Sequence, residues 1–370
     1  MTNLFSGWMT RIRGLRLRPR TKRLLIVNAA LALLALACLA VVLGLRGRLP
    51  AQRAAERFAG DSEFQFAQLS ALMSTGDKLN PGAVYTFRRE LEKQLSESSL
   101  ETTERGRLYI DAWCSFGKSK AVGDHGSADV DIVAVGGEWF FFHPLRLKAG
   151  EWLYEDDVMD DRVVLDRELA WRLFGGDDLT GLTLDIGGRP FRIAGVVERD
   201  GDFASRAARG EGNVLYMSYT AWNAMSEDRA TPIDCYELAS AQPVEGFVRN
   251  FMKEKFPLGG GELVDNGSRF RLKGIWSVLG QFGTRSMQRG GLARPEWENA
   301  ARCLEDWCAL FLGLAALFAV CPVLSAAAAF LVGLVHLRGY LAKTVPALVS
   351  EAVDRSRVRR WEKTHPKQDE

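Results

Sequence analysis

Apolar and polar positions divide the chain into two long, nearly uninterrupted apolar runs, at 24–45 and 308–337, and a stretch between them that alternates at strand and helix periods. In the first run Asn28 is the one notably polar residue, and its 22 residues are enough for a helix to cross a hydrocarbon core about 30 Å thick. The second run has 30 residues. As a helix it measures about 45 Å, more than one crossing and less than two with a turn. A single tilted helix bent at Pro322 is the preferred reading, because a hairpin folded there leaves arms shorter than about 17 residues. The helical pattern that feeds this run begins at Pro295 and passes through Trp297, Leu304 and Trp307.

Between the runs, 64–72 reads as a strand, and Asn80 before Pro81 is a helix-start signal. Val84, Phe87, Leu91 and Leu95 then recur at helical spacing, so one face of 81–96 packs on a sheet. Residues 107–122 and 130–135 read as strands, the second followed by Gly136, Gly137 and the aromatic cluster Trp139, Phe140, Phe141 and Phe142. The stretch 161–197, DRVVLDRELAWRLFGGDDLTGLTLDIGGRPFRIAGVV, gives a short strand and a helix over 168–173 that puts Leu169, Trp171, Leu173 and Phe174 near a core. Two alternating strands follow, joined by the hairpin signal Gly187-Gly188. Farther on, 235–238 is a strand, Val244, Phe247, Val248, Phe251, Met252 and Phe256 share a helical face, and 262–265 closes a second β-α-β unit. The Gly-rich, charged segment 198–213 reads as a mobile external loop. Basic and aromatic residues mix over 269–294, a composition that suits the membrane interface.

These elements predict an α+β fold: a membrane-anchored external domain of two β-α-β units forming a split sheet sandwich with an inserted smaller β-rich subdomain, flanked by one transmembrane helix at each end. The expected segments are a basic N-terminus at 1–23, a first crossing at 24–45, and an external subdomain at 46–144 and 228–294. An inserted subdomain occupies 145–227, a long helix containing the second crossing 295–337, and a tail 338–370.

Charge adds orientation. Across 370 residues the net charge of +2 gives no reason to expect nucleic acid as a partner. Before position 24, however, seven basic residues, Arg11, Arg13, Arg16, Arg18, Arg20, Lys22 and Arg23, stand with no acidic one. That flank places the N-terminus in the cytoplasm. The apolar run is longer than a signal-peptide core of about 7–15 residues and lacks a small-residue cleavage site, which favours an uncleaved anchor. One crossing at each end leaves the main domain extracytoplasmic and both termini cytoplasmic. The tail agrees, with Arg338, Lys343, Arg355, Arg357, Arg359 and Arg360. Its stripe of Leu341, Val345, Leu348, Val349, Ala352 and Val353 suits the bilayer surface or a partner.

Candidate chemistry is sparse. There is no GxxxxGK[ST] phosphate loop and no GxSxG elbow, the four histidines have no ligand partners at metal spacing, and the acidic pairs lack the pattern of a calcium loop. No catalytic, cofactor-binding or metal-binding residue is expected, and the protein is read as a non-enzyme. His143 reads as a packed strand-end residue. Of the six cysteines only Cys114 and Cys235 fall in the external part, as a disulfide or as two buried thiols in neighbouring strands. Trp139 to Phe142 are expected at a subdomain junction or a partner surface.

The succession VVLD, ELAWRLFGG, Gly181 and IGGRPFRIAGVV, preceded by LRLKAGEWLYEDD with Glu151 where an Arg is more usual, resembles the MacB-like periplasmic core domain of MacB and FtsX-type ABC transporter permeases. The resemblance implies a membrane subunit whose external domain relays motion driven by a separate ABC ATPase to export or to an external partner. It also implies a further permease subunit or a homo-oligomer, because such permeases carry four membrane helices per repeat and two are counted here. The alternative is a membrane-anchored extracytoplasmic binding or scaffold protein without ATP coupling.

Overall fold

The computed structural model describes residues 19–364 except 48, 78, 99–105, 158, 228, 282–291 and 293. The basic N-terminal flank through Arg18 and the last six residues lie outside the described residues. The chain divides into two compact units, one of 41–312 and one of 1–40 with 313–370.

Among the described residues the first unit carries ten strands: β1 (Phe66–Leu72), β2 (Tyr109–Gly123), β3 (Gly126–Gly137), β4 (Arg146–Gly150), β5 (Arg162–Asp166), β6 (Thr183–Ile186), β7 (Arg189–Glu198), β8 (Asn213–Ser218), β9 (Cys235–Ala241) and β10 (Glu262–Asp265). They connect in the order β10-β1-β9-β2-β3-β8-β5-β7-β4, and β6 bridges β7 and β2.

Two β-α-β units build the four strands β10, β1, β9 and β2, as the sequence pattern predicts. The helix Pro81–Glu97 starts where Asn80 Oδ1 accepts from Ala83 N at 3.0 Å, with Pro81 in the first turn. Val84, Phe87, Leu91 and Leu95 are its buried side chains, each worth about 1.5–3 kcal/mol of burial. With Val248, Phe251 and Met252 of the helix Phe247–Lys255 they pack against Leu69, Tyr236 and Leu238 of the sheet.

The long hairpin β2–β3 belongs to both halves. Residues 109–114 of β2 pair with β9, while Ala121 and Val122 pair with β6, and β3 runs parallel to β8. Strands β2, β3, β8, β5, β7 and β6 therefore close into a ring around Ile132, Leu165, Leu184, Phe191, Val196 and Leu215. Closure removes strand edges. The β6–β7 turn holds Gly187 and Gly188 at φ 56° and 83°, the left-handed pair that a two-residue hairpin loop requires.

Three expectations are corrected. Trp171 is 52% exposed rather than near the core. The helix Arg167–Phe174 buries Leu169, Ala170 and Leu173, and at about 100° per residue the next position after Ala170 turns outward, where Trp171 Nε1 donates to Asp177. Segment 198–213 is not a bare loop: it carries the helix Phe203–Ala208, capped by Asp202, with Ala204 fully buried. The second apolar helix continues past 337, running from Glu296 to Thr364 through Pro322 and Pro346.

In the second unit, apolar side chains of the helix Pro19–Leu45 and of the helix Glu296–Thr364 are exposed, Phe330 and Leu33 among them. Both helices are long and apolar enough to cross a bilayer. Asn28, the polar interruption of the first run, donates to Ser325 Oγ at 2.9 Å, a polar tie of the kind that holds helices together in lipid.

The lead-in glycine offers a test of the fold. Gly150 sits at φ +75°, and a Cβ there would lie 2.0 Å from Ala194 O. Gly150→Ala combines left-handed strain with a backbone clash and is expected to cost at least about 1–3 kcal/mol, read as a lowered thermal unfolding midpoint of the detergent-solubilised chain; an unchanged midpoint contradicts the β4–β7 packing.

Candidate functional site: the clamped root of the long helix

The first three turns of the helix Glu296–Thr364 carry Glu298, Arg302 and Glu305, all of them buried. Residues three and four apart share a helical face, so these charges form one polar stripe directed at the sheet. What meets it is Arg269, at the end of the short helix Asn266–Arg269 that follows β10. Arg269 Nη2 and Nη1 donate to the two Glu298 oxygens at 2.8 and 2.9 Å, and Nε donates to Glu305 at 2.8 Å. Arg302 Nε also donates to Glu298 at 2.8 Å and its Nη2 to Glu262 at 3.0 Å, while Arg294 Nη2 donates to the other Glu262 oxygen at 2.7 Å.

Burial alone would lower the Arg269 pKa, but the charges of Glu298 and Glu305 and their hydrogen bonds outweigh it and raise it. Burial likewise acts to raise the Glu262 carboxyl, and Arg294 and Arg302 reverse the sign, leaving it below its ordinary value. Both Arg269 and Glu262 are thereby biased toward their charged forms.

From Arg269 a hydrogen-bonded line crosses the sheet. Its Nη1 donates to Asn266 Oδ1 at 3.1 Å, Asn266 donates to Ser70 of β1 at 2.8 Å, and Ser70 donates to Glu237 of β9 at 3.0 Å. Glu237 in turn pairs with His143 Nε2. His143 is buried and its ring packs against both Trp139 and Trp297, with centroid distances of 4.5 and 4.3 Å. It is packed, as the sequence suggests, but it caps the short helix Trp139–Phe142 instead of ending a strand, and it is one end of a polar line leading to the long helix.

The ring of strands reaches the same root from the other side. Asp166, the last residue of β5 and the Asp of VVLD, accepts from Leu169 N at 2.7 Å and Val214 N at 2.8 Å, and Arg199 Nη1 lies 3.4 Å from it. Arg199 Nη2 then donates to Glu296 at 3.1 Å. Burial pushes the Asp166 carboxyl up, only partly offset by these donors.

Beside the clamp is a cavity of about 540 Å³, lined among others by Phe116, Trp139, His143, Asp200, Tyr216 and Trp297. Trp139, Phe140 and Phe142 are buried and Phe141 half-buried. Of the aromatic cluster, Trp139 lines the cavity, 5.2 Å from the Tyr216 ring, and Phe141 packs against Phe58.

Cys114 and Cys235 face each other as register partners of β2 and β9, buried and unlinked. Ala241 N donates to Leu108 O, and the alternation of an antiparallel ladder makes Cys114–Cys235 a hydrogen-bonded pair, the type whose side chains stand farther apart. Burial pushes the Cys114 thiol up, and its contact with Cys114 pushes Cys235 up further, so both are held as thiols.

Sequence reading missed the clamp. It placed Arg269 with the basic residues of a membrane-facing segment, whereas the structure buries it. The spacing of Glu298, Arg302 and Glu305 ahead of an apolar run was the available signal.

The elements that the sequence brings together define an α+β domain whose sheet and strand ring both hold the base of a long apolar helix. Residues 64–242 match the family model described as "MacB-like periplasmic core domain". Over 78 residues the chain is 35% identical to the macrolide export ATP-binding/permease protein MacB of Aggregatibacter actinomycetemcomitans, a match covering 20% of this chain and 12% of that protein. Among solved structures, the periplasmic region of MacB from Actinobacillus actinomycetemcomitans is similar with a TM-score of 0.40 and 17% identity, over 60% of this chain and 94% of that one. The extracellular domain of the noncanonic ABC-type transporter YknZ from Gram-positive bacteria has a TM-score of 0.33 and 11% identity, over 50% and 88%.

Removing one partner of a buried ion-pair cluster strands the others. Arg269→Met is expected to destabilise the chain by about 3–5 kcal/mol, whereas Arg269→Met with Glu298→Leu and Glu305→Leu recovers much of that loss, because apolar replacement of a whole buried cluster is often neutral; thermal unfolding reads both. A pH test follows from Glu262. Its folded pKa is lowered, so its contribution is present above the unfolded value of about 4.3 and is lost as pH falls through the folded one. The stability gap between wild type and Glu262→Gln is expected to hold from neutral pH to about 5 and to shrink below that range; a gap that widens on acidification contradicts it.

Proposed function

We propose that the chain is a membrane subunit of an ABC transporter system, whose extracytoplasmic core domain relays motion driven by a separate ATPase to export or to an external partner. The carrying observation is the clamp. Arg269, Arg302 and Arg294 tie the four-stranded half, and Arg199 the strand ring, to one helix root. A displacement of that helix along its axis then moves both halves, since sliding past them would strand buried charges. A further permease subunit or a second copy completes the membrane part, and both chain ends lie in the cytoplasm. The relative's printed description, macrolide export, supports export as the task.

A second reading, an anchored binding protein without ATP coupling, has support from the cavity, whose size falls in the range of about 300–1,000 Å³ typical of small-molecule sites. Trp297 Nε1 is buried there without a hydrogen-bond partner among the described residues.

Purification of the tagged chain from its native membrane decides between them. Coupling predicts that an ABC ATPase co-purifies and that Arg269→Met leaves this association intact while abolishing whatever transport-dependent phenotype the wild type restores. Recovery of the chain without any ATPase overturns coupling in favour of the binding protein.

A further inference from the structure

The helix Leu272–Gln281 directly follows the clamp arginine and has two apolar faces. Ile275 and Val278 are buried in a cluster with Val42 and Leu45 from the end of the first apolar helix and Leu304 and Cys308 from the start of the second apolar run. The other face presents Leu272, Trp276 and Leu279, exposed by 61%, 55% and 36%. Their spacing of four and three residues makes one stripe along the helix. Gly274 lets the helix approach closely: a Cβ there would lie 2.6 Å from Arg269 O and 2.8 Å from Ser268 O.

We infer that this helix lies in the lipid–water interface of the outer leaflet, with Leu272, Trp276 and Leu279 inserted among the lipids. The inference rests on the reading that both apolar helices cross the bilayer. Its inner face packs where the first of those helices ends and the second apolar run begins, which sets its depth. The exposed stripe is continuous in character with their own exposed residues at that level, Leu43, Trp307 and Leu310. The Arg269–Glu298–Glu305 cluster, one step along the chain, is the last polar layer before the apolar run. Trp at this boundary suits an interface, and Arg271 and Lys273 at the helix start suit headgroup phosphates. At 10 residues the helix measures about 15 Å, long enough to rest on a bilayer and too short to enter it. It thereby braces the base of the domain against the membrane beside the clamp, so a moving helix root works against the sheet instead of tilting the whole domain.

The test uses the full chain in lipid nanodiscs with and without bromine on the acyl chains. Trp276 emission is isolated as the difference between wild type and Trp276→Phe, and Trp171, exposed on the strand ring, is isolated in the same way with Trp171→Phe. The expected result is a blue-shifted Trp276 signal that bromolipid quenches and aqueous iodide does not, with the opposite behaviour for Trp171. Trp276 quenched by iodide and untouched by bromolipid overturns the inference. Shielding of Trp276 from both quenchers assigns the face to a protein neighbour and also overturns it. If the chain fails to enter nanodiscs, or if Trp171 is quenched by bromolipid, the membrane reading itself falls and takes the inference with it.

Discussion

A buried guanidinium is the constraint from which the rest of this domain can be reasoned. Desolvating Arg269 and its two glutamates costs several kcal/mol per ion, and such a group persists only where geometry repays it. Here the repayment is a bidentate contact to Glu298, a third bond to Glu305 and two side-chain amide acceptors, Asn266 and Gln52. Those four partners come from three different segments. Satisfying one arginine therefore fixes the turn after β10, the chain entering from the first apolar helix and the root of the second.

The same logic extends outward. Asn266, Ser70, Glu237 and His143 carry the polar line across two strands to the aromatic pair Trp139 and Trp297. On the opposite side Asp166 both caps a helix and holds Arg199, which reaches Glu296. The long helix is thus gripped at its first residue by the strand ring and two to nine residues later by the four-stranded half. The root is therefore held from two sets of strands by packed, bonded contacts, which cannot deform continuously.

Local chemistry was legible in the sequence and long-range pairing was not. Asn80 with Pro81, Gly187 with Gly188 and the apolar periods around Phe87 and Phe251 each announce an element through neighbours a few residues away. The family pattern around 161–197 was legible for the same reason. By contrast, the closure of the ring depends on β6 reaching Ala121 and Val122, some sixty residues back, which no window of sequence displays. Arg199 and Arg269 were read as solvent-facing because charged residues usually are; their carboxylate partners lie 97 and 29 residues away. Trp171 erred in the other direction, since its size suggested the core while the helical face assigned it outward. The clamp comes only from the folded chain, whereas an interfacial place for 269–294 was already suggested by its mix of basic and aromatic residues.

Whether the helix root and the sheet form one mechanical body can be measured directly by native-state hydrogen exchange on the full chain in nanodiscs. If the clamp holds, amides of 298–305 open with the same free energy as those of β1 and β9, as one cooperative unit. Exchange of 298–305 at distinctly lower cost, while β1 and β9 stay protected, would show that the helix moves free of the sheet and would contradict the account.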